Sequence, residues 1–387
     1  KFSSVVIPDS VKEINDFAFE KSALTSVDIS KGITKISSGV FRDCEKLESV
    51  KFAGDIESIG CGAFESCISL KSIDLPNSVT TIGNSAFYNC DSFKSVTVPK
   101  NVKKLSTMAF AGCDSLEEVV LSEGIEFMDY RAFSDCLSLK KINIPDSVNR
   151  IGEFAFSYCE SLESIVFSKG VKEIGSHAFS YCKSLVSFEI DAENQSYSVI
   201  DGVLFDKEGK SVIYYPPGLK NESYVIPDGV TGINELAFSE CSSLKKVEVP
   251  DSVTEIGDGA FMGCYKLEDI NFPESLKSIG ISAFSNCNSL KKAEIPDSVE
   301  YIGDHAFYEC VSLTSMKLPK NLIRIQDQTF DNCANLENVE IPEGVQEIGS
   351  CAFGRCISLG ISIRILPVAT GLFIEYNGCN RTISGFI

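Results

Sequence analysis

The chain lacks several features that would assign it to a common class of protein. No stretch of its 387 residues approaches the roughly 18 consecutive apolar residues that a membrane-spanning helix needs. Basic residues are also few, since 35 lysines and arginines stand against 54 aspartates and glutamates and give a formal net charge of −19. Proteins bind nucleic acids and anionic lipids mainly through lysine and arginine. We therefore expect neither a membrane span nor nucleic-acid binding.

Motifs of catalysis and of metal binding are scarce as well. The sequence contains no G-x-S-x-G, no H-E-x-x-H, no Walker loop, no G-x-G-x-x-G and no C-x-x-C. The two histidines, His177 and His305, stand two residues before a recurring phenylalanine, where other units carry arginine, serine, glutamine or glycine. We interpret both as variable surface residues. No catalytic, cofactor or metal site is predicted.

What the chain does have is a unit that returns every 23 residues and whose pattern reads PNSVTTIGNSAFYNCDSFKSV at positions 76–96. A fixed period of this size is typical of a solenoid, in which neighbouring units bury each other's apolar faces. The phenylalanine of the unit recurs fourteen times, at Phe19, Phe41, Phe64, Phe87, Phe110, Phe133, Phe156, Phe179, Phe238, Phe261, Phe284, Phe307, Phe330 and Phe353.

Each unit is predicted to contain two short strands and one helical turn. Residues 70–75 alternate apolar and polar side chains before a proline, as a short strand does. Residues 79–82 form a second extended segment, which a glycine closes. Residues 84–90 place alanine, phenylalanine and cysteine at near-helical spacing, which predicts a single α-helical or 3₁₀ turn. Stacked units should then form continuous parallel sheets.

Thirteen of the sixteen cysteines lie three residues after the recurring phenylalanine. Zinc needs ligands that converge in a tetrahedron, whereas stacked units would give a line of thiols. Free cysteine packs as a small hydrophobic residue, so we interpret this column as structural. Outside the column, Cys379 in the tail is the candidate for a reactive thiol.

The unit P-x-S-V-x-x-I-G-x-x-A-F-x-x-C-x-S-L-x-x-I resembles the repeat of the BspA-like leucine-rich repeat family over about residues 5–360. Residues 197–205 and 211–216 together resemble the hairpin insertion of these proteins. The resemblance implies an α/β leucine-rich-repeat solenoid with short parallel strands in each coil and one β-hairpin insertion. It also implies a cell-surface or secreted binding protein, often linked to adhesion, without enzyme activity.

The spacing of the recurring phenylalanine jumps from 23 to 59 residues between Phe179 and Phe238. The run 206–210 in this gap is predicted to be a hairpin turn, with Gly209 suited to a positive φ. The predicted parts of the chain are a repeat array of about eight units at 1–190, a β-hairpin insertion at 191–226, a second array of about six units at 227–363 and an atypical tail or cap at 364–387. Because the chain opens inside a unit, we expect a cap or signal peptide to precede it.

Two surfaces are candidates for partner binding. On the exposed side of the leucine-rich strands, valines stand at two places where other units carry polar residues, which makes these coils a hypothetical contact patch. The insertion supplies tyrosines, which are enriched at interface hot spots. The candidate residues are Glu118, Val120, Lys141, Asn143 and Val166 on the strands and Tyr197, Tyr214 and Tyr215 in the insertion. Ordinary strand formers and a tolerated loop remain the alternative interpretations.

Our functional prediction is a non-enzymatic cell-surface or secreted protein that presents its repeats to a protein or glycan partner, such as host extracellular matrix. No cofactor is expected, and the sequence leaves the oligomeric state open, with a monomer favoured. An intracellular, cytoplasmic scaffold is the alternative, because secreted proteins usually oxidise their cysteines. A hydrolase is a further alternative, and it predicts a pocket lined by residues 191–226. Possible glycosylation sequons occur at Asn194, Asn221 and Asn380.

Overall fold

The computed structural model describes residues 3–359 and the backbone of two short strands after them, Arg364–Ile365 and Phe373–Ile374. The chain divides into two compact units, Lys1–Gly202 and Val203–Ile387. The boundary between them falls inside the predicted insertion. All regular secondary structure of the described residues is β-strand.

The first unit contains strands β1 to β16, one long and one short strand in most coils. They are β1 (Ser4–Val6), β2 (Ser26–Ile29), β3 (Lys35–Ile36), β4 (Ser49–Phe52), β5 (Ser58–Ile59), β6 (Thr81–Ile82), β7 (Ser95–Val98), β8 (Lys104–Leu105), β9 (Glu118–Leu121), β10 (Phe127–Met128), β11 (Lys141–Asn143), β12 (Arg150–Ile151), β13 (Ser164–Phe167), β14 (Glu173–Ile174), β15 (Ser187–Ile190) and β16 (Tyr197–Ile200). The two-residue strands form a parallel sheet in the order β14-β12-β10-β8-β6-β5-β3. The longer strands form parallel sheets β1-β2-β4, β7-β9 and β11-β13-β15.

The second unit contains strands β17 to β32. They are β17 (Val203–Asp206), β18 (Ser211–Tyr214), β19 (Ser223–Val225), β20 (Gly232–Ile233), β21 (Lys246–Glu248), β22 (Glu255–Ile256), β23 (Asp269–Ile270), β24 (Ser278–Ile279), β25 (Lys292–Glu294), β26 (Tyr301–Ile302), β27 (Ser315–Lys317), β28 (Arg324–Ile325), β29 (Asn338–Ile341), β30 (Glu347–Ile348), β31 (Arg364–Ile365) and β32 (Phe373–Ile374). Strands β17 and β18 pair antiparallel, and β18 continues into the parallel run β20-β22-β24-β26. The other sheets, β19-β21-β23, β25-β27-β29-β31 and β28-β30-β32, are parallel.

The predicted stacking of short parallel strands is confirmed. Ser95 pairs with Glu118, and Phe127 pairs with Arg150, so neighbouring strands are offset by one repeat of 23 residues. The two predicted strands of the representative unit are shorter than expected. The first, at 70–75, is reduced to a single bridge from Ser72 to Ser95, and the second keeps two residues as β6.

The helical or 3₁₀ turn predicted at 84–90 is wrong. Ser85 and Asn89 have φ angles of 54° and 55°, which lie in the left-handed region that a right-handed helix does not use. The backbone N–H of Phe87 donates to the carbonyl oxygen of Ala109 in the next coil, at 2.9 Å. A helix satisfies such donors internally. The segment is instead a series of turns, and alternate N–H groups link one coil to the next.

The recurring phenylalanines form the centre of the core in each unit. Phe64 and Phe87, for example, are fully buried and stack with centroids 5.3 Å apart and planes 4° from parallel. Twelve of the thirteen column cysteines are also buried, and Cys356 is half-buried. Burial raises the pKa of the Cys113 thiol to about 12. The structural interpretation of the cysteine column is confirmed, whereas Cys379 lies outside the described residues.

The predicted hairpin is also confirmed. Phe205 lies opposite Val212 in the antiparallel pair of β17 and β18. Gly209 has a φ of 66°, and its N–H donates to the carbonyl oxygen of Asp206 at 3.1 Å. Apart from the glycine and its two chain neighbours, no atom lies within 4 Å of where a Cβ would stand on Gly209, so the backbone angle, not space, favours glycine there.

The second arm of the hairpin completes a coil of the repeat array. Tyr215 stands 23 residues before Phe238 and stacks on it, with ring centroids 5.1 Å apart. The thiol of Cys241 lies 3.8 Å from the carbonyl oxygen of Tyr215, in the way that other column cysteines approach a phenylalanine carbonyl. Tyr215 therefore takes the place of the recurring phenylalanine.

Candidate binding surface

The exposed side of strands β9, β11 and β13 carries the strand residues predicted to contact a partner. Glu118 and Val120 alternate with buried residues along β9, and Val120 is 44% exposed. Lys141 and Asn143 are exposed on β11. Val166 on β13 is half-buried and therefore less accessible than these two. The alternation follows from the period of two in an extended chain.

These five residues lie on three successive coils. Asn143 and Val166 are direct partners in the pairing of β11 with β13. Val120 stands one repeat before Asn143, although β9 and β11 belong to separate sheets. Successive coils are about 4.8 Å apart at the strands. We call Glu118, Val120, Lys141, Asn143 and Val166 the strand patch.

The two charged residues of the strand patch form no close ion pair in the part of the chain that the structure describes, although they occupy the same register position on successive coils. Exposed pairs link neighbouring coils elsewhere, such as Lys71 with Glu48 at 2.9 Å. Glu118 and Lys141 take part in no such pair within residues 3–359. Glu118 and Lys141 thus place two charges of opposite sign on successive coils beside the exposed side chain of Val120.

The three tyrosines of the insertion pack against the rest of the fold. Tyr214 and Tyr215 are only 6% and 1% exposed, because β18 packs against the core and Tyr215 occupies the phenylalanine column. This burial removes both rings from the predicted contact surface. The hydroxyl of half-buried Tyr197 accepts a hydrogen bond from the N–H of Ile174 at 3.0 Å. Burial raises the pKa of this tyrosine. Since Ile174 belongs to β14, the last strand of its sheet, Tyr197 caps that sheet.

The first of the three sequons cannot accept a glycan in the folded chain. Asn194 is fully buried, and its Nδ2 donates to the carbonyl oxygens of Ser168 at 2.9 Å and Val171 at 3.0 Å. Asn221 is exposed, and Asn380 lies outside the described residues.

Two open surface depressions bear on the hydrolase hypothesis. One, in the first unit, is lined by Arg150, Glu173 and their neighbours and takes only Tyr197 from the insertion. The other, in the second unit, surrounds Lys246 and Glu248 and takes only residues 225–226 from it. Repeat residues thus form most of both walls. Within residues 3–359, no group of three histidine, cysteine or acidic side chains is arranged to hold a metal ion.

Sequence reasoning missed a second surface, on the turns around the recurring phenylalanine. Residues two before and two after that phenylalanine have a positive φ in every coil of the described chain. In three successive coils the first of these positions carries Arg131, Phe154 and His177. Phe154 and His177 stack with centroids 4.5 Å apart, and the guanidinium of Arg131 lies 5.1 Å from the centroid of Phe154. The signal was the shared slot of Arg131 and His177, which we interpreted only as variable.

A model of the BspA type leucine rich repeat region matches the chain at residues 1–113, 80–207, 214–333 and 300–367. No curated protein sequence matches it. A leucine rich cell surface protein from Faecalibacterium prausnitzii has a solved structure that is 32% identical over 87% of each chain, with a TM-score of 0.66. A leucine-rich repeat protein from Bacteroides ovatus is 28% identical over 92% of this chain and 85% of its own, with a TM-score of 0.61.

A third solved structure shows likeness of fold alone. The pneumococcal vaccine antigen PcpA is 23% identical, covers 85% of this chain and 75% of its own, and has a TM-score of 0.55. Among the described residues, no helix has the length and apolar character needed to cross a membrane.

Proposed function

Because the chain belongs to the BspA-type leucine-rich repeat family, we propose that it is a non-catalytic binding protein, displayed on a cell surface or secreted, that holds a protein or glycan partner on its strand patch. The observation that carries the proposal is the combination of an exposed apolar side chain, Val120, with two exposed neighbours of opposite charge, Glu118 and Lys141. Repeat proteins commonly bind through an extended sheet face of this kind.

The location rests on the similar proteins. The F. prausnitzii protein, which is 32% identical, is described as a cell surface protein. An acidic chain with a charge of −19 suits a protein partner or a neutral glycan better than a polyanion, because like charges repel over long distances. Host extracellular matrix is one source of such partners.

The experiment is a binding screen of the purified chain against immobilised extracellular-matrix proteins and glycans. We expect at least one probe to bind and Val120→Asp to abolish that binding, because a carboxylate would replace the apolar contact. Thr97→Asp is the matched control, since Thr97 is exposed and pairs with Val120 in the neighbouring strand β7. Equal binding by wild type and Val120→Asp would refute the strand patch. Failure of every probe would refute surface recognition of this class.

An intracellular scaffold is the second candidate. It is favoured by the column cysteines, which are free thiols in the structure, because oxidising compartments usually convert thiols to disulfides. Fractionation of the source cells with an antibody against the chain separates the two functions. Recovery in the cytoplasm supports the scaffold, and recovery at the surface or in the medium supports display.

A further inference from the structure

Arg131 differs from the other arginines between residues 3 and 359. The others lie close to a carboxylate: Arg42 at 2.8 Å from Glu65, Arg150 at 3.6 Å from Glu173, Arg324 at 3.2 Å from Glu347 and Arg355 at 2.7 Å from Asp331. Arg131 instead lies against Tyr130 and Phe154, with its Cζ 5.3 and 5.1 Å from the ring centroids. Its Nε is buried without a hydrogen-bond partner among the described residues, as are those of Arg42 and Arg324, so only the missing carboxylate sets Arg131 apart. In so acidic a chain, an arginine without a carboxylate is an exception.

The groups around this arginine pack against one another. Phe154 contacts Tyr130 edge-on at 5.7 Å and stacks on His177 with planes 14° apart. In the same coils a second stack forms between Tyr158 and Tyr181, whose centroids are 4.4 Å apart. Side chains that are already ordered lose little conformational entropy when a partner binds.

The backbone conformation indicates that folding does not require these large side chains. Arg131, Phe154 and His177 have φ angles of 54°, 56° and 60°, a region that disfavours residues with a Cβ. Gly39 and Gly62 occupy the same place in other coils. The fold thus accepts glycine at this position, and a large planar side chain in three successive coils is not required by it.

We propose that Tyr130, Arg131, Phe154 and His177, which we call the arginine face, bind a protein segment that presents an aspartate or glutamate side chain beside apolar residues. One guanidinium pairs with one carboxylate through two parallel hydrogen bonds. Tyrosine and arginine are enriched at the hot spots of protein interfaces. The net charge of −19 opposes a polyanion but not a segment with a single acidic residue. This site lies on the turns and is independent of the strand patch.

The test uses a phage-displayed library of random short peptides, panned on the whole chain. We expect the retained peptides to be enriched in aspartate or glutamate next to apolar residues. Arg131→Gln should weaken their binding about tenfold, the loss of a hydrogen bond to a charged group. Glutamine suits the backbone there, because Gln328 fills the same slot in another coil. Arg150→Gln, which removes an exposed arginine already paired with Glu173, is the matched control.

A second variant guards against a folding defect. Phe154→Ser should also weaken peptide binding, and Ser282 shows that serine fits this slot. Thermal unfolding by circular dichroism should show that wild type and both variants are fully folded at the temperature of the binding measurement. The proposal is overturned if no retained peptide depends on Arg131, if Arg150→Gln weakens binding equally, or if sialylated and uronic-acid oligosaccharides bind at Arg131 while peptides do not. Val120→Asp should leave peptide binding unchanged. The experiment therefore tests the arginine face independently of the strand patch.

Discussion

The thiol of Cys90 donates a hydrogen bond to the carbonyl oxygen of Phe64, 3.1 Å away in the preceding coil. The same carbonyl also accepts the backbone N–H of Cys67 at 3.1 Å. Equivalent bonds recur along the column, for example from Cys113 to Phe87 at 3.2 Å. The cysteine therefore fills apolar space and also links neighbouring coils, which a purely apolar residue of its size would not do.

Cys90→Ala should destabilise the chain by about 1–2 kcal/mol, because it removes both the packed sulfur and the bond to Phe64. The measurement is the free energy of unfolding from denaturant titration followed by circular dichroism. Cys61→Ala is the matched control, since Cys61 is exposed and surface substitutions usually change stability by less than about 0.5 kcal/mol. Equal effects of the two substitutions would show that the column thiols contribute nothing specific.

Thiol labelling should separate the column cysteines from Cys61. The thiolate is the reactive form, and burial raises the pKa of the Cys113 and Cys310 thiols to about 12. In the folded chain near pH 8, Cys61 should react with iodoacetamide long before the buried column does. Peptide mapping by mass spectrometry measures each site, and unfolding in guanidinium should expose the whole column. Labelling of buried column residues at the rate of Cys61 would contradict the described packing.

The same pKa shifts predict alkaline destabilisation. A thiol whose pKa is raised on folding stays protonated in the native chain while the unfolded chain begins to ionise near pH 8.5. Its contribution to stability is therefore complete below that pH and is lost as the pH rises towards the folded value of about 12 at Cys113. The denaturant midpoint should fall between about pH 8 and pH 10. A variant with Cys113→Ala and Cys310→Ala should show a shallower fall, and an unchanged slope would exclude these two thiols as contributors to it.

Tyr197→Phe tests the cap on β14. Removing the hydroxyl leaves the N–H of Ile174 without its acceptor, which should cost about 1 kcal/mol locally. Amide hydrogen exchange should accelerate at Ile174 and change little in β8 or β10, because solenoid coils contact mainly their neighbours. Tyr158→Phe is the control, since Tyr158 is 39% exposed. Faster exchange throughout the first unit would indicate that Tyr197 stabilises more than the sheet end.

Sequence reasoning identified the features that recur with the repeat. It did not identify the features that depend on contacts between coils. The period identified the phenylalanine and cysteine columns, and alternation identified Val120 as exposed. The turns were mistaken for helix because apolar spacing does not record that the N–H of Phe87 bonds to the next coil. Arg131 and Phe154 adopt a positive φ without the glycine that would have signalled it. Tyr215 was recoverable, since it stands one repeat before Phe238.

The second unit contains a buried acid whose partner is one exposed arginine, and this pair gives the sharpest stability prediction. Asp331 is 3% exposed and accepts two hydrogen bonds from Arg355, from Nε at 3.0 Å and from Nη2 at 2.7 Å. Arg355→Gln would leave the carboxylate buried without a cation. We expect a loss of about 1–3 kcal/mol, below the range for fully buried pairs because the arginine side chain is 53% exposed.

A double-mutant cycle measures the interaction energy between the charges of Asp331 and Arg355. Asp331→Asn removes the buried charge, so Arg355→Gln should cost less in that background than in the wild type. The control is Lys71→Gln, which breaks the exposed pair with Glu48 and should cost less than about 0.5 kcal/mol. Denaturant unfolding measures all five proteins, wild type included. Purely additive effects of the two substitutions would mean that Asp331 does not depend on Arg355 for its charge, because additivity is the behaviour of groups that do not interact.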